Sequence, residues 1–455
     1  MKRYTHYFPV PSVFLLALCV RLVYNFTTGH NYIVKDDAAL YNNLALGMLQ
    51  QHCYCLVNIP HSNISRAPLW PLVIATIYFF TGRHELYPRL FYAMLGSGTC
   101  ILVYLFARDL FGRRVALVAG LLAAIYTGLF LFDGWLFSES LYTFLSTLLV
   151  YSLYRVQHVL CGTLGQENIG YGSFRVVWRH TRGYLITAGV CLALASLTRP
   201  NGPVLFGLIA LWSLGLVLMK RVSWRNGLYN ALVLVGIAVV LIAPWTYRNY
   251  RVAHAFIPIA VGGGEVLVGA YNDTVLTNVP NTGPGFWVSK DLVRPPVHTL
   301  SHDDWRYTAR DDKADIAQAL HWIRTHPQDL PYLFGWHFLH LWSPYTFEPA
   351  LPVIEHFDWL SSQIIWYMMF AMAIPVFLLA ALGVLVTWKQ YRGELLAVYL
   401  VVALTIAQNI AFYANIRFRA PMEPFLVLLV GGACWWFASR FVRARHTQPP
   451  SQSHK

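Results

Sequence analysis

The stretch PLWPLVIATIYFFT, residues 68–81, decides how the chain is threaded. It is apolar enough to enter a bilayer, but it has only 14 residues and carries Pro68 and Pro71, whereas a spanning helix needs about 20. Counted as a crossing, it would put the basic cluster RDLFGRR (108–114) on the side opposite Lys2 and Arg3, against the tendency of basic loops to stay on the cytoplasmic side. Read as a re-entrant or juxtamembrane helix on the outer side, it leaves 8–27 and 89–107 as the first two crossings.

With that choice every later basic cluster falls inside: Arg155 to Arg182, then Lys220, Arg221 and Arg225, then Lys389 and Arg392, then Arg440, Arg443 and Arg445. The remaining crossings are 115–132, 139–154, 184–198, 203–219, 228–247, 363–386, 395–413 and 424–439. The expectation is an all-α polytopic membrane protein of about ten spans with both termini inside. Composition agrees: 455 residues, 56% hydrophobic and 12% charged, with windows of about 18 residues almost free of charge. Each span must satisfy its backbone within its own helix. The net charge of +13 is spent on topology, so nucleic acid is not expected as a partner. The first apolar run lacks a small-residue cleavage site and reads as an anchor, not a signal peptide. Of seven cysteines, most lie in apolar runs; Cys53 and Cys55, two residues apart, are expected to stay unbridged because such a short ring is strained.

The organisation that follows is a transmembrane core, 1–247, whose first outer loop (28–88) carries an acidic site. An outer loop region, 248–362, forms a small domain, 363–445 are the C-terminal spanning helices, and 446–455 form a polar, disordered tail. No internal repeat is visible.

The first outer loop contains VKDDAALYNNLALGML, residues 34–49. Tyr41, Leu44, Ala45, Met48 and Leu49 recur at helical spacing, giving an amphipathic helix lying in the interface. An N-cap role accounts for one of Asp36 and Asp37, not for both. A second acid, Glu139 in FDGWLFSESLY, falls at the same outer mouth, and a carboxylate at a membrane edge is costly enough to suggest function. Arginines depleted by topology from this face nevertheless recur there: Arg66, Arg89, Arg199, Arg248, Arg251, Arg417 and Arg419. A guanidinium fork suits phosphate. Together they indicate transfer of a group from a lipid phosphate, with a carboxylate taking the acceptor's proton and arginines holding the phosphate. Asp36–Asp37 lacks D-x-D spacing, and His337 and His340 read as packed side chains. No obligatory cofactor is expected, and a divalent metal stays open.

These segments resemble the polyprenyl-phosphate-sugar-dependent glycosyltransferases of the GT-C fold, in the bacterial branch related to protein O-mannosyltransferases and the lipid A aminoarabinose transferase (families 39 and 83). The resemblance runs in order through DAALYNNLA (37–45), RAPLWPLVIATIYFFTG (66–82), PRLFYAMLGSGTCILVYLFARDLFG (88–112), SESLY (138–142), LASLTRP (194–200), PWTYRNY (244–250) and RFRAPMEPFLVLL (417–429). It implies an inverting enzyme of the bacterial plasma membrane working on the periplasmic or extracellular side. Asp37 would be the base and Glu139 the second acid, with Arg66, Arg199, Arg248, Arg417 and Arg419 contacting the donor. Asp36, Tyr41 and Arg89 complete the candidate substrate contacts. The partners implied are a polyprenyl-phosphate-linked sugar, membrane lipid and an acceptor that is a protein, a lipid or a cell-envelope glycan. A flippase for such lipids and a non-catalytic scaffold are the competing readings.

Overall fold

The computed structural model describes residues 9–27, 32, 34–57, 59, 61–164, 172–277, 283–289, 293, 308–344 and 359–446. Its elements are helical: α1 (Pro9–Phe26), α2 (Asp36–Gln51), α3 (Leu69–Thr81), α4 (Leu86–Phe111) and α5 (Arg113–Ile125) come first. Two short turns, α6 (Thr127–Phe130) and a 3-10 turn (Leu131–Gly134), precede α7 (Glu139–Leu164), α8 (Gly172–Thr198), α9 (Val204–Leu218) and α10 (Trp224–Ala253). Then come α11 (Gly263–Ala270), α12 (Asp273–Leu276), α13 (Ala309–Thr325), α14 (Leu330–Leu341), α15 (Trp359–Tyr391), α16 (Leu396–Ala411), α17 (Ile416–Arg419) and α18 (Glu423–His446). The expected disordered tail lies outside the described residues from 447 onward.

Helices occur at every expected crossing. Among the described residues, five stretches are long and apolar enough to span: α4, Arg179–Thr198, α10, Gln363–Tyr391 and Ile416–Arg440. A sixth counts if α5 and the turns to Gly134 are one bent span. The chain is therefore a multi-pass membrane protein.

α3 is the short element that 68–81 suggested. Pro71 sits in its first turn, where a missing N–H costs little, and Gly82 ends it at a φ of 86°. One face buries Trp70, Ile74, Ala75 and Tyr78 while Leu72, Phe79 and Phe80 stay exposed. Trp70 stacks on Tyr92 of α4 at 4.1 Å, and the Tyr78 hydroxyl donates to Asn42 of α2 at 2.8 Å. The helix thus leans on the bundle with an apolar outer face.

The segment 115–132, expected as one straight span, is broken. Tyr126 adopts extended backbone (φ −70°, ψ 120°), and the two halves bend by 61°. The reason is a partner across the bundle: the Tyr126 hydroxyl donates to Glu423 at 2.9 Å. The bend delivers 131–138 into the interior, where side chains satisfy its backbone. Trp70 Nε1 donates to the Leu136 carbonyl (2.9 Å) and Tyr92 Oη to that of Phe137 (2.6 Å).

α4 is central, packing on α1, α5, α7 and α18. Between α1, α4 and the bend lies an ion pair absent from the sequence reading: Arg21 Nε to Asp133 Oδ2, 2.5 Å, both side chains essentially buried. Arg21 also donates to the carbonyls of Ala17 and Ala124. Gly96 leaves the room, since a Cβ there would collide with Asp133. Helices α11 to α14 share a separate small apolar cluster, including Val268, Tyr271, Trp322 and Leu333.

Cys53 and Cys55 correct the expectation made for them, because they are bridged. His52 turns the chain in the left-handed region (φ 56°), and the reversal leaves their Cα atoms 5.3 Å apart, within the usual range of about 4.4–6.8 Å.

Removing one member of the Arg21–Asp133 pair strands a buried charge. Asp133→Ala is expected to destabilise by about 3–5 kcal/mol, read as a lower unfolding midpoint in detergent. The double change Arg21→Leu with Asp133→Leu should recover most of that loss.

Candidate functional site

Asp37 enters the site through the first turn of α2. The preceding residue, Asp36, has a φ of 52°, a conformation unusual for a residue with a side chain. Asp36 is left exposed while Asp37 turns inward. Neither is the N-cap, which is Lys35, although both sit where the helix dipole favours negative charge.

Glu139 opens α7 and is fully buried. Arg199 lies in the turn after α8, a turn that closes only because Gly202 packs against the Ala195–Ser196 backbone, where a Cβ would clash. Arg417 lies in α17, whose N-cap Asn415 accepts from the Arg417 backbone N–H at 3.1 Å.

These residues converge. Arg417 Nε donates to Glu139 Oε1 at 2.8 Å and its Nη2 to Asp37 Oδ2 at 3.0 Å. Arg199 Nη1 lies 2.9 Å from the same Glu139 oxygen, and Arg66 Nη2 lies 3.4 Å from Asp37 Oδ1. The Arg417 guanidinium is centred 4.1 Å over the Phe137 ring, and that of Arg199 lies over Phe418 at 5.4 Å. Tyr41 borders the cluster, its hydroxyl donating to Ser138 Oγ at 3.4 Å.

Three guanidiniums face the two carboxylates, and Arg66 also feels the charge of Glu265. Glu139 Oε2 is buried without a hydrogen-bond partner among the described residues. The Asp37 side chain keeps 33% of its surface exposed, which makes it the accessible acid. Burial pushes the Asp37 carboxyl up, but Arg417 and then Arg66 outweigh it and hold the group below its ordinary value. Burial would lower the proton affinity of Arg66, and Asp37 chiefly reverses this.

Other candidates lie elsewhere. Arg89 is buried against the Tyr32 ring, 5.0 Å away. Arg248 donates to the Asn63 carbonyl at 2.6 Å and lies over the Trp245 ring, so it braces the loop before Arg66. Arg419 pairs with Glu423 at 2.5 Å and donates to the carbonyls of Leu341 and Ser343. His337 and His340 are packed, each bonded to a backbone carbonyl.

The sequence reading missed Phe137, the aromatic floor under Arg417, and Glu265, an acid whose charge reaches Arg66. The acid in VGGGEV was the available signal for Glu265. For a metal the fit is poor: no group of three or more His, Cys, Asp or Glu converges among the described residues. Arg417 also occupies the space between the two acids, where a cation would have to sit.

Residues 67–257 match the family model described as dolichyl-phosphate-mannose-protein mannosyltransferase. No curated protein matches the chain significantly. Among solved structures, the chain is similar to the oligosaccharyltransferase AglB from Archaeoglobus fulgidus, in complex with an inhibitory peptide and dolichol-phosphate. Identity is 14% and the TM-score 0.58, over 100% of this chain and 53% of AglB. A complex of the same archaeal enzyme with Zn and sulfate gives 14% and 0.54, over 96% and 50%. ArnT from Cupriavidus metallidurans bound to undecaprenyl phosphate gives 15% and 0.40, over 96% and 81%. The chain thus spans about half the length of the archaeal enzyme, and at this identity the likeness is one of fold. It has the GT-C fold, and its residues 67–257 match the mannosyltransferase family model.

Proposed function

We propose that this protein is an inverting glycosyltransferase that moves a sugar from a polyprenyl-phosphate carrier to an acceptor at the outer face of a bacterial plasma membrane. The chain would cross about ten times with both termini inside, which puts α2, α3 and the acidic cluster on the periplasmic or extracellular side. The observation that carries the reading is the convergence of Asp37, Glu139, Arg66, Arg199 and Arg417, drawn from five separate segments. The gathered guanidinium donors suit a phosphate, and the AglB complex, with its dolichol-phosphate, supports that class of carrier.

The chemistry follows from the geometry. The acceptor's nucleophilic atom attacks the anomeric carbon and gives its proton to an Asp37 oxygen. The bond from that carbon to the phosphate oxygen breaks on the opposite face, and its electron pair stays on the carrier phosphate. Arg66, Arg199 and Arg417 hold that phosphate as its charge grows. Glu139 holds Arg417 and Arg199 in place. A step through a metal is not needed for this balance.

The test is transfer of radiolabelled sugar from a panel of polyprenyl-phosphate sugars by the purified protein. Asp37→Asn is expected to cut transfer by about 10²–10⁴-fold, while Asp36→Asn stays near wild type. Normal transfer by Asp37→Asn would remove the base assignment, and lipid movement without transfer by wild type would favour a flippase.

The pH profile gives a second test. Because the folded Asp37 value is depressed, its ionised form and ion pairs are present at neutral pH and persist below the ordinary value of about 3.9. They are lost only as pH falls through the lower folded value. Arg66→Gln removes one of the groups responsible, so the acid limb of kcat/KM should move upward. An unmoved limb would take Arg66 out of the site.

A further inference from the structure

The strand of chain that delivers Arg66 is held by more than Arg66 itself. Tyr54, the residue between the bridged Cys53 and Cys55, donates from its hydroxyl to the carbonyls of Arg66 (3.2 Å) and Ala67 (3.1 Å). Its own carbonyl accepts from the Asn63 backbone N–H at 2.8 Å. Asn63 Oδ1 in turn accepts from the backbone N–H groups of Ser65 (3.0 Å) and Arg66 (3.2 Å). Arg66 is therefore fixed at both its backbone donor and its backbone acceptor by the same small frame.

The frame is closed on its far side by α10. The Tyr54 ring meets Trp245 edge to face at 4.9 Å, and Arg248 lies 5.4 Å over the Tyr54 ring while donating to the Asn63 carbonyl. Val261 N–H donates to the Ile64 carbonyl at 3.0 Å. Cys55 is fully buried and its carbonyl presses on Gly47 of α2 in a contact no Cβ would allow. A bridge spanning one residue restricts the Tyr54 backbone, and with it the direction in which the side chain leaves the loop.

We propose that the Cys53–Cys55 disulfide and Tyr54 are positioning elements that hold Arg66 against Asp37, so that activity requires the bridge to be intact. This inference rests on the glycosyltransferase reading of the site. It agrees with an outer, oxidising placement of the loop, where such a bridge persists. A loosened Arg66 would hold both its carboxylate partner and the donor phosphate less well, and small misplacements at a reacting centre are costly.

The experiment uses the full chain in lipid nanodiscs. A water-soluble phosphine opens the bridge: the disulfide takes two electrons from phosphorus, and water supplies the oxygen of the phosphine oxide and the protons of the two thiols; mass spectrometry confirms the opening. Kinetics with the polyprenyl-phosphate sugar and hydrogen exchange at residues 63–67 are then compared with the oxidised protein. We expect kcat/KM to fall by about 10–100-fold, the acid limb to move upward as in Arg66→Gln, and exchange at 63–67 to rise. Tyr54→Phe, which keeps ring and bridge, should reproduce the kinetic loss and the shifted limb, and reducing it should add little more. Unchanged kinetics, acid limb and exchange after confirmed opening would overturn the proposal. If exchange rises but the oxidised protein transfers no sugar, the positioning of Arg66 stands and the glycosyltransferase reading is what fails.

Discussion

Arg417 forks between two carboxylates from the first third of the chain, Asp37 at 380 residues' separation and Glu139 at 278. Among the described residues it joins α2, α7 and α17 directly. Without the guanidinium the two acids would face each other across a poorly hydrated space, and each would gain by taking up a proton. With it they stay ionised, and the charge of Arg417 is used twice. Arg199 and Arg66 then add guanidiniums from the flanks, so donors shaped for an oxyanion gather at one point. An anion is the natural counterpart.

The same constraint shapes the layers beneath. Where a helix breaks inside an apolar bundle, the freed backbone groups need partners, because lipid offers none. The 131–138 segment is met by Trp70, Tyr92 and Tyr32, and at the bend the Tyr126 hydroxyl bonds the Glu423 side chain. Arg21 serves the carbonyl of Ala124 and the carboxylate of Asp133 together. Arg419 collects the carbonyls at the end of α14 while pairing with Glu423. Every irregular stretch near the site thus has a buried polar side chain assigned to it, and these fixed points hold Glu139 and Arg417 at one depth in the bundle.

How much of this could be read from sequence depends on the range of the interaction. Apolar runs and basic clusters report local burial and charge, so the helices appeared where expected and α3 was separated from the crossings by its length and prolines. Asp37 turns into the cluster while Asp36, at a positive φ, is left exposed. Pairings were not legible. The arginines were nameable as candidates, but residue type fixes what a guanidinium can bind, not which carboxylate will reach it. Arg66, Arg199 and Arg417 meet the acids, while Arg89, Arg248 and Arg419 support backbone and aromatic rings instead. Arg21 was hidden inside an apolar run, and only its partner 112 residues away explains it. The Cys53–Cys55 bridge was misjudged because spacing alone ignores the left-handed turn at His52.

On the proposed reading, sharing arginines between acid and phosphate has a consequence for timing. In the free protein Arg417 and Arg66 hold the Asp37 carboxyl below its ordinary value, which makes it a weak base. A donor phosphate entering the cluster competes for those same guanidiniums, and each bit of positive charge it neutralises returns basicity to Asp37. The base would therefore be activated by the donor whose sugar it helps to transfer, and would rest quietly ionised when the site is empty. The exposed part of Asp37 lets an acceptor approach, while the buried Glu139 keeps Arg417 from following the phosphate away. A single buried guanidinium between two acids thus links donor binding to base strength without any moving part.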